Sequence, residues 1–241
     1  MHIGFEYIHP EPTLPPGIAP ADLLTVDWSS QTKAALAFKT SLSRALRVAQ
    51  VGRCCYCRRV LYDNYATHIE HFIDKSSFPE YRFEIRNLAL SCGTCNIKKA
   101  GYFKRWNRRS RIPSLGINSH HCPVINTQLP PGTPYPTEAK DFRWVNPYVH
   151  NYSNHIDLGR GWIFRSKTRE GGRTIKWLKL NEVGEIERRA LFERMQTRGG
   201  LLSKLVYAIS ELNQHRARDV GDVLARAIAT RGRIRRKLPQ A

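Results

Sequence analysis

Two C-x-x-C pairs, Cys54–Cys57 and Cys92–Cys95, constrain this chain more than any other feature. Two thiolates separated by two residues can face one ion across a tight turn, and two such turns complete a tetrahedral Zn²⁺ shell. The pairs stand further apart than in a plain zinc ribbon, so a folded element must lie between them. Four cysteines leave the ion no open position, which predicts a structural metal. The competing reading is buried free thiols, since cysteine is among the most buried residue types. A redox C-x-x-C is disfavoured because neither pair sits in a βαβ pattern.

The insert carries the residues with chemistry. Thr67 to Ile73 alternates as a short strand does, placing His68 and Glu70 on one face and His71 on the other. Asn87 follows, just ahead of an apolar Leu88-Ala89-Leu90, and Asn96 stands directly after the last cysteine. A carboxylate and an amide oxygen suit Mg²⁺ or Mn²⁺, which keep waters and bind phosphate. A histidine, with an ordinary pKa of roughly 6.5, suits proton removal from water near neutral pH.

At these residues the chain resembles the HNH endonucleases, the ββα-metal or His-Me finger nucleases, in their zinc-stapled form. The resemblance rests on C-x-x-C, on Glu70-His71, on Asn87, and on Cys92-Gly93-Thr94-Cys95-Asn96-Ile97-Lys98-Lys99. It implies Glu70 and Asn96 as ligands of a catalytic ion and His71 as general base. It further implies Asn87 as the residue that holds the His71 loop and ring orientation. Lys99 matches the family's helix lysine and Lys75 the lysine of its Pro-Lys-Ser, both expected on the substrate. Asp74 stands where the family usually has proline, which predicts a looser turn after the strand. Within the family, Ile69 to Phe72, Phe78-Pro79 and Asn87 to Asn96 are most similar to the HNH effectors of Septu and retron anti-phage systems (PtuB-like). That narrower resemblance implies a defence effector working with a partner ATPase.

Among 241 residues, 39 Lys and Arg face 20 Asp and Glu, a formal charge of +19. Such an excess gathers polyanions and favours phosphate backbones, with a solubility device or an anionic membrane surface as the plainer alternatives. No stretch approaches the roughly 20 apolar residues of a spanning helix, and no signal pattern opens the chain. Paired cysteines better explained by metal than by disulfides suit a reducing compartment, so the expectation is cytoplasmic. No G-x-x-x-x-G-K-[ST] occurs, so any ATPase activity must come from another protein.

Along the chain, residues 1–50 read as a Pro-rich arm docked on the body, with a disordered tail as the alternative, and an amphipathic helix capped at Ser29 or Ser30. Residues 51–111 form the nuclease core. Its helix runs on through Lys104, Arg105, Arg108, Arg109 and Arg111, interleaved with Tyr102, Phe103 and Trp106, a pattern suited to substrate contact. Residues 112–140, rich in Pro and Gly, read as a linker. Residues 141–241 read as a small β-rich segment, with strands at Trp162–Phe164 and Thr174–Leu178 set apart by Gly171-Gly172, then helices at about 181–197, 200–216 and 218–236. The fold class is therefore α+β: a zinc-stapled ββα-metal core with an N-terminal helix, a β-rich segment and a helical C-terminal region. The function this predicts is metal-dependent hydrolysis of phosphodiesters in DNA or RNA. A non-catalytic zinc module that binds nucleic acid is the alternative, and it leaves Glu70, His71, Asn87 and Asn96 as coincidence.

Overall fold

The computed structural model describes residues 3–19, 21–24, 26–61, 67–159, 162–182 and 214–237, with single positions at 185, 189, 209 and 212. The chain divides into two compact units, Met1–Ile186 and Glu187–Ala241.

In the first unit the arm docks as expected. Phe5 and Ile8 are buried, the Ile8 amide donates to Pro147 O (2.7 Å), and the Glu6 carboxylate accepts from both the amide and the hydroxyl of Ser153. A short helix α1 (Ala21–Leu24) precedes α2 (Lys33–Ala49). The cap of α2 is Thr32, whose hydroxyl accepts from the Ala35 amide, rather than the serines before it; Ser30 instead braces Thr32. Ala35, Phe38, Leu42, Leu46 and Ala49 recur at helical spacing and form its buried stripe. Gln50 closes the helix and is fully buried. Its side chain donates to Leu90 O (2.9 Å) and accepts from Leu90 N (2.7 Å), standing in for a neighbouring strand along β2.

The core is a two-stranded antiparallel hairpin followed by a helix. β1 (Thr67–His71) pairs with β2 (Leu88–Cys92) in the register Thr67↔Cys92 to His71↔Leu88. β2 is buried along its whole length, and α3 (Gly93–Arg109) begins at its end with Cys92 as cap residue. Gly93 is fitted to this corner, since a Cβ there would come within 3.3 Å of His68 Nε2. Cys95, Lys99, Tyr102 and Phe103 form the buried face of α3.

The stretch 112–140 is no free linker. Cys122, Val124, Ile125 and Leu129 are buried, and Ile125 bridges to Phe142. Tyr81 and Tyr135 tie the stretch to the β1–β2 connection by donating to Thr133 O (2.7 Å) and Arg86 O (3.1 Å). Enough apolar residues are interspersed with the prolines to pack an irregular segment on the core.

Beyond it come α4 (Tyr152–His155), the hairpin of β3 (Ile156–Leu158) and β4 (Phe164–Ser166), and α5 (Arg169–Trp177). The strand expected at Thr174–Leu178 is instead the end of α5. Thr168 caps this helix by accepting from Gly171 N, and Thr174 donates back to Glu170 O while accepting from Val145 N. Gly171 marks close packing rather than a break: a Cβ there would fall 2.0 Å from His155 O. The β content of this region is thus two three-residue strands.

In the second unit the helix expected at 218–236 is present as α6 (Gln214–Lys237), with Val223 60% exposed. The helices expected over about 181–197 and 200–216 lie outside the described residues but for 181–182, isolated positions and the first residues of α6.

Candidate active site and metal centre

The ligand-type atoms of Cys54, Cys57, Cys92 and Cys95 all lie within 4.8 Å of one another, and all four residues are buried. Among the described residues this is the sole cluster of three or more His, Cys, Asp or Glu side chains placed to share an ion. The first pair sits on a knuckle closed by Cys54 N–H donating to Arg59 O (2.9 Å) and Arg58 N–H donating to Cys54 O (3.1 Å), with Arg58 at φ +59°. The second pair spans the β2–α3 corner. Hydrogen bonds to Cys54 and Cys57 hold Cys92 and Cys95 well above the ordinary thiol range. A divalent ion relieves such crowding by taking four thiolates, so the donor set fits Zn²⁺ in number, chemistry and closure.

His71 ends β1 and turns to the side opposite Glu70. Its Nε2 lies 3.0 Å from Arg82 O. A carbonyl can only accept, so Nε2 carries the proton and Nδ1 keeps its lone pair. The carbonyl that fixes this tautomer is placed by Asn87, which is fully buried. Its Oδ1 accepts from Ile73 N (2.6 Å), and its Nδ2 donates to Ile73 O (3.0 Å) and Tyr81 O (2.9 Å). Asn87 thereby closes the 72–87 connection and sets the residue before Arg82. Asp74 does not loosen the next turn; its carboxylate accepts from the Ser76 hydroxyl and from the amide and hydroxyl of Ser77.

A strap formed by residues 26–30 covers His71. The Trp28 ring meets the imidazole edge-on at 4.4 Å between centroids, leaving His71 6% exposed. Arg82 holds the strap through Val26 O (2.7 Å) and Asp27 (3.6 Å), and Lys39 holds it through Trp28 O and Ser30 O. Burial, with the charge of Lys75 next, pushes the His71 pKa down to about 3. The imidazole is therefore neutral at ordinary pH, and Lys75 is near enough for its charge to be felt.

Glu70, 2% exposed, faces α3. Its Oε1 lies 2.5 Å from Lys99 Nζ and accepts from the Tyr56 hydroxyl at 3.4 Å. Burial raises the carboxyl above its ordinary range, with the Lys99 charge opposing. The same ammonium donates to His71 O and lies 4.5 Å from the Phe103 ring centroid. Lys99, read from the sequence as a substrate contact, is thus a buried tie joining Glu70, the His71 backbone and α3.

The half-buried Asn96 opens the first turn of α3, and its side-chain amide makes no hydrogen bond among the described residues. No hydrogen bond joins the His71 ring to Glu70 or Asn96. The Glu70 carboxylate is enclosed and paired with Lys99 in this conformation. Arg105 and Lys104 are exposed further along α3. Sequence reasoning missed Tyr56, Trp28 and Arg82. Tyr56 lay in view inside the first C-x-x-C, whereas the others act through a distant ring and a backbone carbonyl.

Residues 54–101 match the family model described as HNH endonuclease. The match runs from the first cysteine of the zinc cluster to just past Lys99, and with the four-cysteine cluster it defines an HNH domain within a mixed helix-and-strand chain. Such a domain implies a nuclease, and with it nucleic-acid binding. Neither curated proteins nor solved structures give a match. Among the described residues no helix is long and apolar enough to cross a membrane.

Proposed function

We propose that this chain is an endonuclease that hydrolyses phosphodiester bonds in DNA or RNA with His71 as general base. The observation that carries the reading is the His71–Arg82 hydrogen bond, with the Arg82 carbonyl set in place through Asn87. It leaves Nδ1 as the proton acceptor, and a neutral imidazole is the form able to deprotonate water. The water attacks phosphorus in line, and the leaving 3′ oxygen takes a proton from solvent water, giving 5′-phosphate and 3′-hydroxyl ends. Lys75 supplies positive charge beside His71 for the phosphate. Asn87 acts as a positioning residue, and Lys99 keeps β1 and α3 in register while it neutralises Glu70.

The phosphate reaches Nδ1 once the 26–30 strap and its Trp28 lift from the ring. Exposure also returns the imidazole toward its ordinary pKa, where a base works best near neutral pH. Glu70 and Asn96 are the oxygen donors we assign to Mg²⁺ or Mn²⁺, on condition that Lys99 releases the carboxylate. When bound, such an ion neutralises phosphate charge.

The similarity of Ile69–Phe72 and Asn87–Asn96 to Septu and retron HNH effectors supports a role in anti-phage defence in the cytoplasm. These 241 residues carry no P-loop motif, and we assign ATP hydrolysis in such a system to a partner. The test is incubation of plasmid, single-stranded DNA and tRNA with Mg²⁺ or Mn²⁺, alone and with the product of a neighbouring ATPase gene. Cleavage with 5′-phosphate ends, lost in His71→Ala, supports the reading. Equal binding by wild type and variant with no cleavage in either setting favours the non-catalytic zinc module.

A further inference from the structure

The C-terminal half of α3 and the end of α5 enclose a cleft of about 560 Å³, lined by Tyr102, Arg105, Trp106, Arg108, Arg109 and Trp177. Its size falls within the ~300–1,000 Å³ of sites that hold small organic groups. Packing fixes the aromatic wall. Tyr102 is buried against Trp177 (centroids 4.5 Å) and Trp144 (5.2 Å), and Trp106 donates its indole N–H to His121 O. Trp106 and Trp177 remain half-exposed, presenting ring surface to the cleft.

The charge around these rings is mostly positive, with the Glu170 carboxylate acting on Arg173. Arg105, Arg108 and Arg109 are exposed and, like Arg143 and Arg173, form no ion pair among the described residues. Partial burial, followed by the charges of Arg143 and Arg169, holds Arg173 below its ordinary range. Unopposed guanidinium groups beside open aromatic faces match the two halves of a nucleotide, phosphate and base. The rings can be stacked only by a base that is not paired, because a duplex turns its base faces inward.

We propose that this arginine–tryptophan cleft binds one or two unpaired nucleotides of a nucleic-acid strand, with a base stacked on Trp177 or Trp106 and phosphates on Arg105, Arg108 and Arg109. Along α3 the cleft residues run from Tyr102 to Arg109, about 5 to 15 Å beyond Lys99 at ~1.5 Å per residue. The inference rests on the nuclease reading for its substrate class, but its readout is binding.

The experiment measures fluorescence anisotropy of labelled single-stranded and duplex oligonucleotides without added Mg²⁺, over a salt series, with the full chain. Trp177→Ala is expected to weaken single-strand binding by about 5- to 150-fold, the equivalent of ~1–3 kcal/mol for a stacked base, and to change duplex binding little. Trp177→Phe is expected to restore most of that loss. Arg105→Ala/Arg108→Ala/Arg109→Ala, all exposed positions and so independent of folding, is expected to lower the salt slope for single strands by roughly 0.7 per lost phosphate contact. Unchanged affinity and salt slope in the triple variant overturn the proposal. So does equal weakening of single-strand and duplex binding in all three variants, which would mark a general backbone contact. Cleavage by these variants is scored separately: loss of the cleft leaves the His71 reading standing, and a silent His71 leaves the binding result intact.

Discussion

Replacing Asn87 with alanine tests how the imidazole is held. The variant removes one acceptor and two donors from a fully buried position, leaving the Ile73 amide and carbonyl without partners and the Tyr81 carbonyl with the Glu84 amide alone. Each abandoned buried group costs ~1–3 kcal/mol, and with partial relaxation the sum is about 3–5 kcal/mol. For a unit of the size of Met1–Ile186, each kcal/mol lowers Tm by roughly 2–4 °C, so a fall of about 6–20 °C is expected by differential scanning calorimetry. An exposed control such as Lys140→Ala, which breaks only a surface pair with Glu138, should melt close to wild type. Cleavage should fall further than stability explains, because the Arg82 carbonyl that fixes the His71 tautomer loses its anchor. An Asn87→Ala chain that melts within about 2 °C of wild type would refute the packing account. A destabilised variant with unchanged kcat/KM at low temperature would refute the positioning role.

Three further outcomes follow from the same geometry. Cys57→Ser should lose bound zinc and a large share of stability, since structural zinc contributes ~10–16 kcal/mol of apparent binding free energy that is also folding free energy; full zinc content and unaltered melting would contradict it. His150 accepts from Asn146 N through Nδ1, and burial followed by the His155 charge holds its pKa down to about 4. Its folded value lies below the unfolded ~6.5, so the unfolded chain binds the extra proton. The contribution is complete above the unfolded value and is lost as pH falls to about 4. His150→Gln should therefore flatten the fall in Tm between about pH 7.5 and pH 5, and equal slopes would contradict this. Trp28→Ala should expose His71, raise its pKa and speed cleavage, moving the acid limb of the pH–rate profile to higher pH; an unmoved limb would show that the strap does not gate the ring.

How much of this was legible in the sequence follows from the range of each interaction. The zinc quartet was readable because C-x-x-C fixes its geometry within a few residues. Asn87 and His71 were readable as a motif, yet the contact that joins them runs through the backbone of Arg82, and a main-chain carbonyl has no signature in sequence. Trp28 reaches His71 from 43 residues upstream, a distance at which no local pattern operates. Lys99 was visible as a conspicuous lysine, but its burial against Glu70 depends on how α3 docks on β1. Gly171-Gly172 was misread as a gap between strands because a glycine needed for close helix packing and one needed for a turn look alike.

The most direct measurement is the cleavage rate of His71→Ala beside wild type on the same plasmid, single-stranded DNA and tRNA, with zinc content and Tm recorded on each preparation. The account predicts a loss of at least ~10²-fold, the lower end of what a general base supplies, with zinc and nucleic-acid affinity unchanged. Cleavage at the wild-type rate by a zinc-replete His71→Ala chain would contradict it.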